Sequence, residues 1–271
     1  MSAERDLSLQ PGSAWSFIAQ PPTPSRDAAY HIDWLLRRFT DRADALQSLR
    51  ERGCRVEIVC FWESRSGNGG PRIDRELIAD LADFPFDRLG FDFRIDETPW
   101  GKDRTEEDSM PSLRPPSSSD DYNPVGGRTY VTLCLFHNAL PPEEIGGGLR
   151  LKPDRVVRRG TPAPLRRTAP LNVWFYGSDD RVDSADVGLH LDWLTQRFIP
   201  RRAALQALTE RGCRIEATCF WGSSTNASGP SLSNSLLRKL STLPIDEVSF
   251  DVYFEDPSDP ERDGGDVSQL H

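Results

Sequence analysis

One fixed offset relates two long stretches of this chain. His31-Ile32-Asp33-Trp34-Leu35 returns as His190-Leu191-Asp192-Trp193-Leu194, Arg52-Gly53-Cys54-Arg55-Val56-Glu57 as Arg211-Gly212-Cys213-Arg214-Ile215-Glu216, and Cys60-Phe61-Trp62 as Cys219-Phe220-Trp221. Every pair stands 159 residues apart (Trp34 to Trp193), from Trp15/Trp174 through Asp92/Asp251, without a gap. Two copies of a domain-sized unit predict tandem globular domains rather than a solenoid. A length of 271 residues agrees with two domains.

The second copy is the fuller one. Residues 129–136 alternate as a strand does, and Leu140-Pro141-Pro142-Glu143-Glu144-Ile145 reads as a short helix stopped by Gly146-Gly147-Gly148. A second strand spans 171–176. Val187, Leu191, Leu194 and Phe198 then fall on one helical face. A further helix starts at Pro200 and ends at Gly212, followed by a strand over 213–220. Pro230 opens a helix with a leucine stripe, and 248–255 alternates as a fourth strand. Strands with one apolar and one polar face fit a sheet covered on one side only. The expected fold class is therefore α+β: two similar two-layer domains, each a largely antiparallel sheet of about four strands with helices on one face.

The first copy has no counterpart to residues 129–167, so it lacks the initial strand, the short helix and the basic stretch. A missing strand leaves an open edge. Three explanations stand side by side: a wrongly assigned start, decay of one copy, or completion of the sheet by another segment or subunit. The expected boundaries are 8–96 for the first repeat, 97–127 for a disordered linker, 128–256 for the complete repeat and 257–271 for a disordered tail. The linker and tail are set by low hydrophobicity together with proline, serine and charge.

A net charge of −9 argues against nucleic acid or anionic membrane as a general partner. No apolar run approaches the roughly 20 residues of a transmembrane helix. The charged N-terminus carries no secretory signal, and five cysteines, an odd number, fit reduced thiols; the expected location is cytoplasmic. Against the acidic trend, residues 150–167 hold Arg150, Lys152, Arg155, Arg158, Arg159, Arg166 and Arg167. That stretch reads as a solvated loop or as a docking patch for an acidic partner or an anionic ligand.

Recurrence singles out candidates. Cys54 and Cys60, like Cys213 and Cys219, lie six apart on a strand and so about 20 Å apart, too far for a disulfide or a shared metal. Core packing is their natural role. His31 and His190 are candidate general bases, but Asp33 and Asp192 are two residues away on a helix and poorly placed to orient them. The Ser/Gly loops at 63–70 and 222–229 lack a phosphate-binding lysine motif. No catalytic residue, metal or cofactor is assigned. The candidate binding residues are Trp174, Tyr176, Trp221 and Tyr253, as aromatics that project from one sheet face, and Arg155, Arg158 and Arg159.

Tyr130-Val131-Thr132-Leu133-Cys134-Leu135-Phe136, Leu140-Pro141-Pro142-Glu143-Glu144-Ile145, Lys152-Pro153 leading to Arg159-Gly160, and Trp174 come in an order that resembles the bacterial domain-of-unknown-function family 4279. His190-Leu191-Asp192-Trp193-Leu194, the strand from Gly212 to Cys219 and Phe250-Asp251-Val252-Tyr253 continue the match. The resemblance implies a complete second copy and a shortened first one. It brings no activity, cofactor or site residues. The expected function is a non-catalytic protein-binding module, of immunity or antitoxin style, that neutralises a basic protein partner. The alternative is an enzyme or receptor for a small anionic ligand using residues 150–167. A homodimer through the incomplete first repeat is an additional expected mode of association.

Overall fold

The computed structural model describes residues 14–23, 25–64, 68–95, 128–163, 167–223 and 229–254; the expected linker 97–127 and tail 257–271 lie outside them. Local chemistry sets the helix starts in both halves. Asp27 caps α1 (Ala28–Phe39) by accepting from Ala29 N at 3.0 Å, and Asp186 caps α5 (Val187–Phe198) by accepting from Gly188 N at 2.8 Å. Asp74 and Ser233 do the same for α3 (Arg75–Asp83) and α7 (Asn234–Ser241). Each such cap satisfies one of the otherwise unpaired first-turn N–H groups. Helices α2 (Ala43–Glu51) and α6 (Arg202–Glu210) both give way to a glycine at positive φ, Gly53 at 88° and Gly212 at 91°, a conformation other residues rarely adopt.

The second half carries the expected four strands and more. Its sheet runs β12 (Glu247–Phe254), β10 (Arg214–Ser223), β5 (Thr129–His137), β9 (Asn172–Gly177), β6 (Arg155–Val157). All neighbours are antiparallel except β10 and β12, which are parallel and joined through α7. Parallel neighbours need such a crossover, because a tight hairpin cannot connect them. The basic stretch, expected as loop, contributes β6 and a small hairpin of β7 (Pro162–Ala163) with β8 (Arg167–Thr168). Val131, Leu133, Leu135, Ile215, Ala217 and Cys219 face α5, α7 and α4 (Pro142–Leu149) and are fully buried. The opposite face gathers Cys134, Val173 and Phe175 into a smaller cluster with Phe136, Val157 and Leu171. The architecture is α+β.

In the first half β1 (Glu57–Ser64) pairs parallel with β4 (Arg88–Ile95), as β10 does with β12. Residues 14–20, at the offset of β9, form no strand. In the second half β9 bonds to β5 and β6 rather than to β10, and among the described residues no strand pairs with 14–20 in the way β5 and β6 pair with β9.

The two halves exchange an edge. The helix expected from Pro230 begins instead with a three-residue strand, β11 (Ser231–Ser233), which pairs antiparallel with β4 of the first half. Its counterpart β3 (Arg72–Asp74) pairs with β12 of the second half. The flanking bonds match across the exchange: Phe91 N to Pro230 O and Phe250 N to Pro71 O are both 3.0 Å. Asn234 N to Asp87 O (3.0 Å) and Arg75 N to Asp246 O (2.9 Å) repeat the relation. A pair of residues, β2 (Asn68–Gly69), extends the pairing on β12. Leu77, Ile78, Leu81 and Ala82 of α3 meet Leu236, Leu237 and Leu240 of α7, and one cluster of buried apolar side chains includes residues of both halves.

Candidate functional site

The expected aromatic face is an internal ladder. Trp174 stacks on Tyr176 at 5.8 Å and Tyr176 on Trp193 of α5 at 5.9 Å, with Phe198 edge-on to Tyr176 at 5.6 Å. Trp174 and Tyr176 are buried, as is Trp221, because their strand positions point toward the helices. These three are therefore corrected from surface to core. The Tyr176 hydroxyl accepts from Arg197 Nε at 3.2 Å, while the Arg181 guanidinium lies 4.7 Å from the Tyr176 ring centroid. Arg181 is held in turn by Asp154, which also accepts from Gly177 N at 2.7 Å. Burial pushes the Asp154 carboxyl up, but the Arg181 and Gly177 hydrogen bonds outweigh it and hold the group below the usual carboxylate range.

Of the other expected residues, Arg155 lies on the opposite sheet face with its guanidinium 5.2 Å from the Phe175 ring. That face also has Arg214 over Phe136 and the stacked pair Tyr130–Phe220. Tyr253 is half-buried on the same face of β12. Arg158 is engaged by Glu143, and Arg159 donates from Nη1 to Asn138 O at 3.2 Å. Arg166 lies outside the described residues. Arg150 and Lys152 line an open groove of about 530 Å³ beside α4, with Glu143, Gly147, Leu151 and Pro153. The structure thus scatters the expected set over the core, the outer face and the rim of α4.

The groups with chemical potential are committed to structure. His190 is fully buried; its Nε2 donates to Ser184 O at 2.7 Å and its Nδ1 lies 2.7 Å from Ser178 Oγ. His31 repeats the first contact, Nε2 to Ser25 O at 2.8 Å. In both halves the histidine fastens the turn ahead of a helix, which explains its recurrence without catalysis. Burial pushes the thiols of Cys60 and Cys134 up to about 11 and about 12, and that of Cys219 higher still, so none is primed as a nucleophile. Among the described residues no three histidine, cysteine or carboxylate side chains gather as a metal site. No helix among them is long and apolar enough to cross a membrane.

The first half presents what the second conceals. Trp15, at the offset of Trp174, is 68% exposed against 0%; Phe17, at the offset of Tyr176, is 41% exposed against 4%. Ile18 and Val59 are exposed as well. Leu46 and Leu49 of α2 are half-buried, whereas Leu205 and Leu208 of α6 are enclosed under α4. Yet the ladder keeps its geometry: Phe17 stacks on Trp34 at 6.3 Å and meets Phe39 edge-on at 5.1 Å. This rim of apolar side chains, bounded by the outer edge of β1, is the candidate functional site. Its signal in the sequence is Trp15 and Phe17 at the offset of Trp174 and Tyr176, whereas the expected binding residues all lie in the second half.

Residues 127–255 match the family model described as a domain of unknown function, DUF4279, so that domain occupies the second half of the chain. No curated protein and no solved structure matches the chain.

Proposed function

We propose that the chain is a non-catalytic protein-binding module, and that its first half is a further copy of the domain matched in the second. The observation that carries this reading is the exposed pair Trp15 and Phe17, whose counterparts Trp174 and Tyr176 the second half buries. Contiguous exposed aromatics mark interaction surfaces far more often than they occur by chance on a free surface. The commitment of His190 and the buried cysteines to packing agrees with it. A net charge of −9 favours a basic protein as partner, in the manner of an immunity or antitoxin factor. Affinity capture with the full chain, read by mass spectrometry beside Trp15→Ala/Phe17→Ala, tests the reading. A specific protein retained by the native chain and lost by the variant supports it; identical capture profiles refute it.

The groove at Arg150 and Lys152 favours a second reading, a receptor for a small anion. Thermal stabilisation by inorganic phosphate that is abolished in Arg150→Ala/Lys152→Ala would carry that reading instead.

A further inference from the structure

Helix α4 departs from local preference twice, both times beside the open groove. Glycine inside a helix is destabilising relative to alanine, yet Gly146, Gly147 and Gly148 follow one another within it. Packing requires the first of them: a Cβ on Gly146 would lie 3.2 Å from both Leu151 O and Trp174 Nε1. Gly147 and Gly148 have nothing within 4 Å. The residue after the helix takes the left-handed conformation that favours glycine, and it is Arg150, at φ 53°. Glycine thus stands where alanine would hold the helix better, and arginine where glycine would. Such departures, where packing gives no reason for them, concentrate at functional sites. Gly147 and Arg150 both line the groove, whose volume of about 530 Å³ suits a small organic ligand.

The chemistry around the groove narrows the ligand. Trp174 is fully buried, and its indole Nε1, set against Gly146, donates to no acceptor among the described residues. A buried donor without a partner is costly, and an acceptor supplied from the groove relieves it. At the rim, Arg150 and Lys152 are exposed and make no hydrogen bond or ion pair with any described residue. Glu143, the carboxylate of the lining, is taken up by Arg158. The carbonyls that end α4 would oppose an anion. Gly146 O and Gly147 O, however, already accept from Leu151 N and Arg150 N, both at 3.3 Å. The walls are apolar: Pro142, Leu151, Pro153 and Val156. Resting on the small-anion reading above, we infer that the groove binds a monocarboxylic acid with an apolar body of several carbons. The two unpaired cations draw the carboxylate, the walls cover the body, and the indole N–H is the donor at the floor. A phosphate group would seek more donors, because the backbone N–H groups of Arg150 and Leu151 are taken by the helix.

Octanoate is the probe, with octanamide, acetate and inorganic phosphate beside it. Added to the full chain, octanoate is expected to bind with one-to-one stoichiometry by calorimetry and to raise the melting temperature. Octanamide, which lacks the charge, and acetate, which lacks the body, should each bind at least tenfold more weakly. Arg150→Ala/Lys152→Ala should weaken octanoate binding at least tenfold. Gly147→Ala and Arg150→Gly each restore the local preference of the helix. Both are therefore expected to melt higher than the native chain without ligand, yet to bind octanoate at least tenfold more weakly. A merely structural role for α4 would not move stability and binding in opposite directions. In the native chain the Trp174 indole N–H resonance should shift on titration. The inference is overturned if octanoate does not bind, if octanamide or acetate binds as tightly, if Gly147→Ala binds equally, or if that resonance stays in place. Phosphate binding that needs Arg150 and Lys152, without octanoate binding, would sink this inference and leave the small-anion reading intact.

Discussion

At the scale of single residues, the recurrent polar side chains are explained by what they fasten. Replacing His190 by alanine would leave the Ser184 carbonyl without its ring partner and the Ser178 hydroxyl with its Val131 contacts alone. An unsatisfied buried group plus a cavity costs about 2–4 kcal/mol, which a urea titration resolves easily. A change below about 0.5 kcal/mol would contradict the fastening role. Asp154 makes a prediction in pH. Its carboxyl is held low in the folded chain by Arg181 and Gly177 N–H, against an unfolded value near about 3.9. Its contribution is therefore fully present above about pH 4 and is lost as pH falls through the lower folded value. Asp154→Asn should be less stable at neutral pH yet show a shallower loss of stability between about pH 4 and pH 2; urea midpoints across that range decide it. His190 and Asp192 stand out in the sequence because they recur, and recurrence marks fastening as readily as chemistry. Asp192 in fact pairs with Lys239 at 2.5 Å, whereas the His190 ring bonds to Ser184 O and Ser178 Oγ.

At the scale of elements, glycines separate close approach from mere flexibility. A Cβ on Gly70 would sit 2.5 Å from Phe250 O, and one on Gly229 would sit 2.8 Å from Phe91 O. Both positions mark where one half crosses onto the edge strand of the other. Gly70→Ala and Gly229→Ala should each cost about 2–3 kcal/mol, since a Cβ would meet the Phe250 backbone at Gly70, and at Gly229 both the Phe91 carbonyl and the buried Phe93 ring, 2.4 Å away. Gly147, on the open face of α4, has nothing within 4 Å, and Gly147→Ala should stabilise by about 0.5–1 kcal/mol. Thermal melts of the three variants give opposite signs if the exchange is as described. The longer elements were legible in the sequence: α5, β9, β10 and β12 declare themselves by apolar periodicity. The exchanged strands were not. Three residues such as Ser231-Leu232-Ser233 carry no period, and their partner lies more than a hundred residues away, so only the tertiary fold reveals them.

At the scale of the whole molecule, the offset copies are bound to each other by more than a linker. β3 and β11 each complete the sheet of the other half, Asn234 Nδ2 donates to Leu81 O at 3.0 Å and to Phe84 O at 3.2 Å, and Arg75 Nη2 reaches Asp246 at 2.9 Å. Periodicity within either half says nothing of this, which is why the sequence predicted two self-contained units. The exchange has a consequence for the second half in isolation. A fragment of residues 128–255 retains β11 without β4 and β12 without β3, so two of its edges and the Leu236–Leu237–Leu240 face of α7 lose their cover. Because the exchange is reciprocal, a second fragment can supply both: its β11 to the first β12, and its β12 to the first β11. The fragment is therefore expected to be a twofold dimer, its melting temperature rising with concentration as linked association requires. Leu232→Asp, which puts a charge at the fully buried centre of the exchanged strand, should abolish the dimer and leave a monomer that melts lower or unfolds. Sedimentation equilibrium settles the matter: a fragment that stays monomeric at high concentration and melts with the intact chain would show that each half folds without its neighbour's strand.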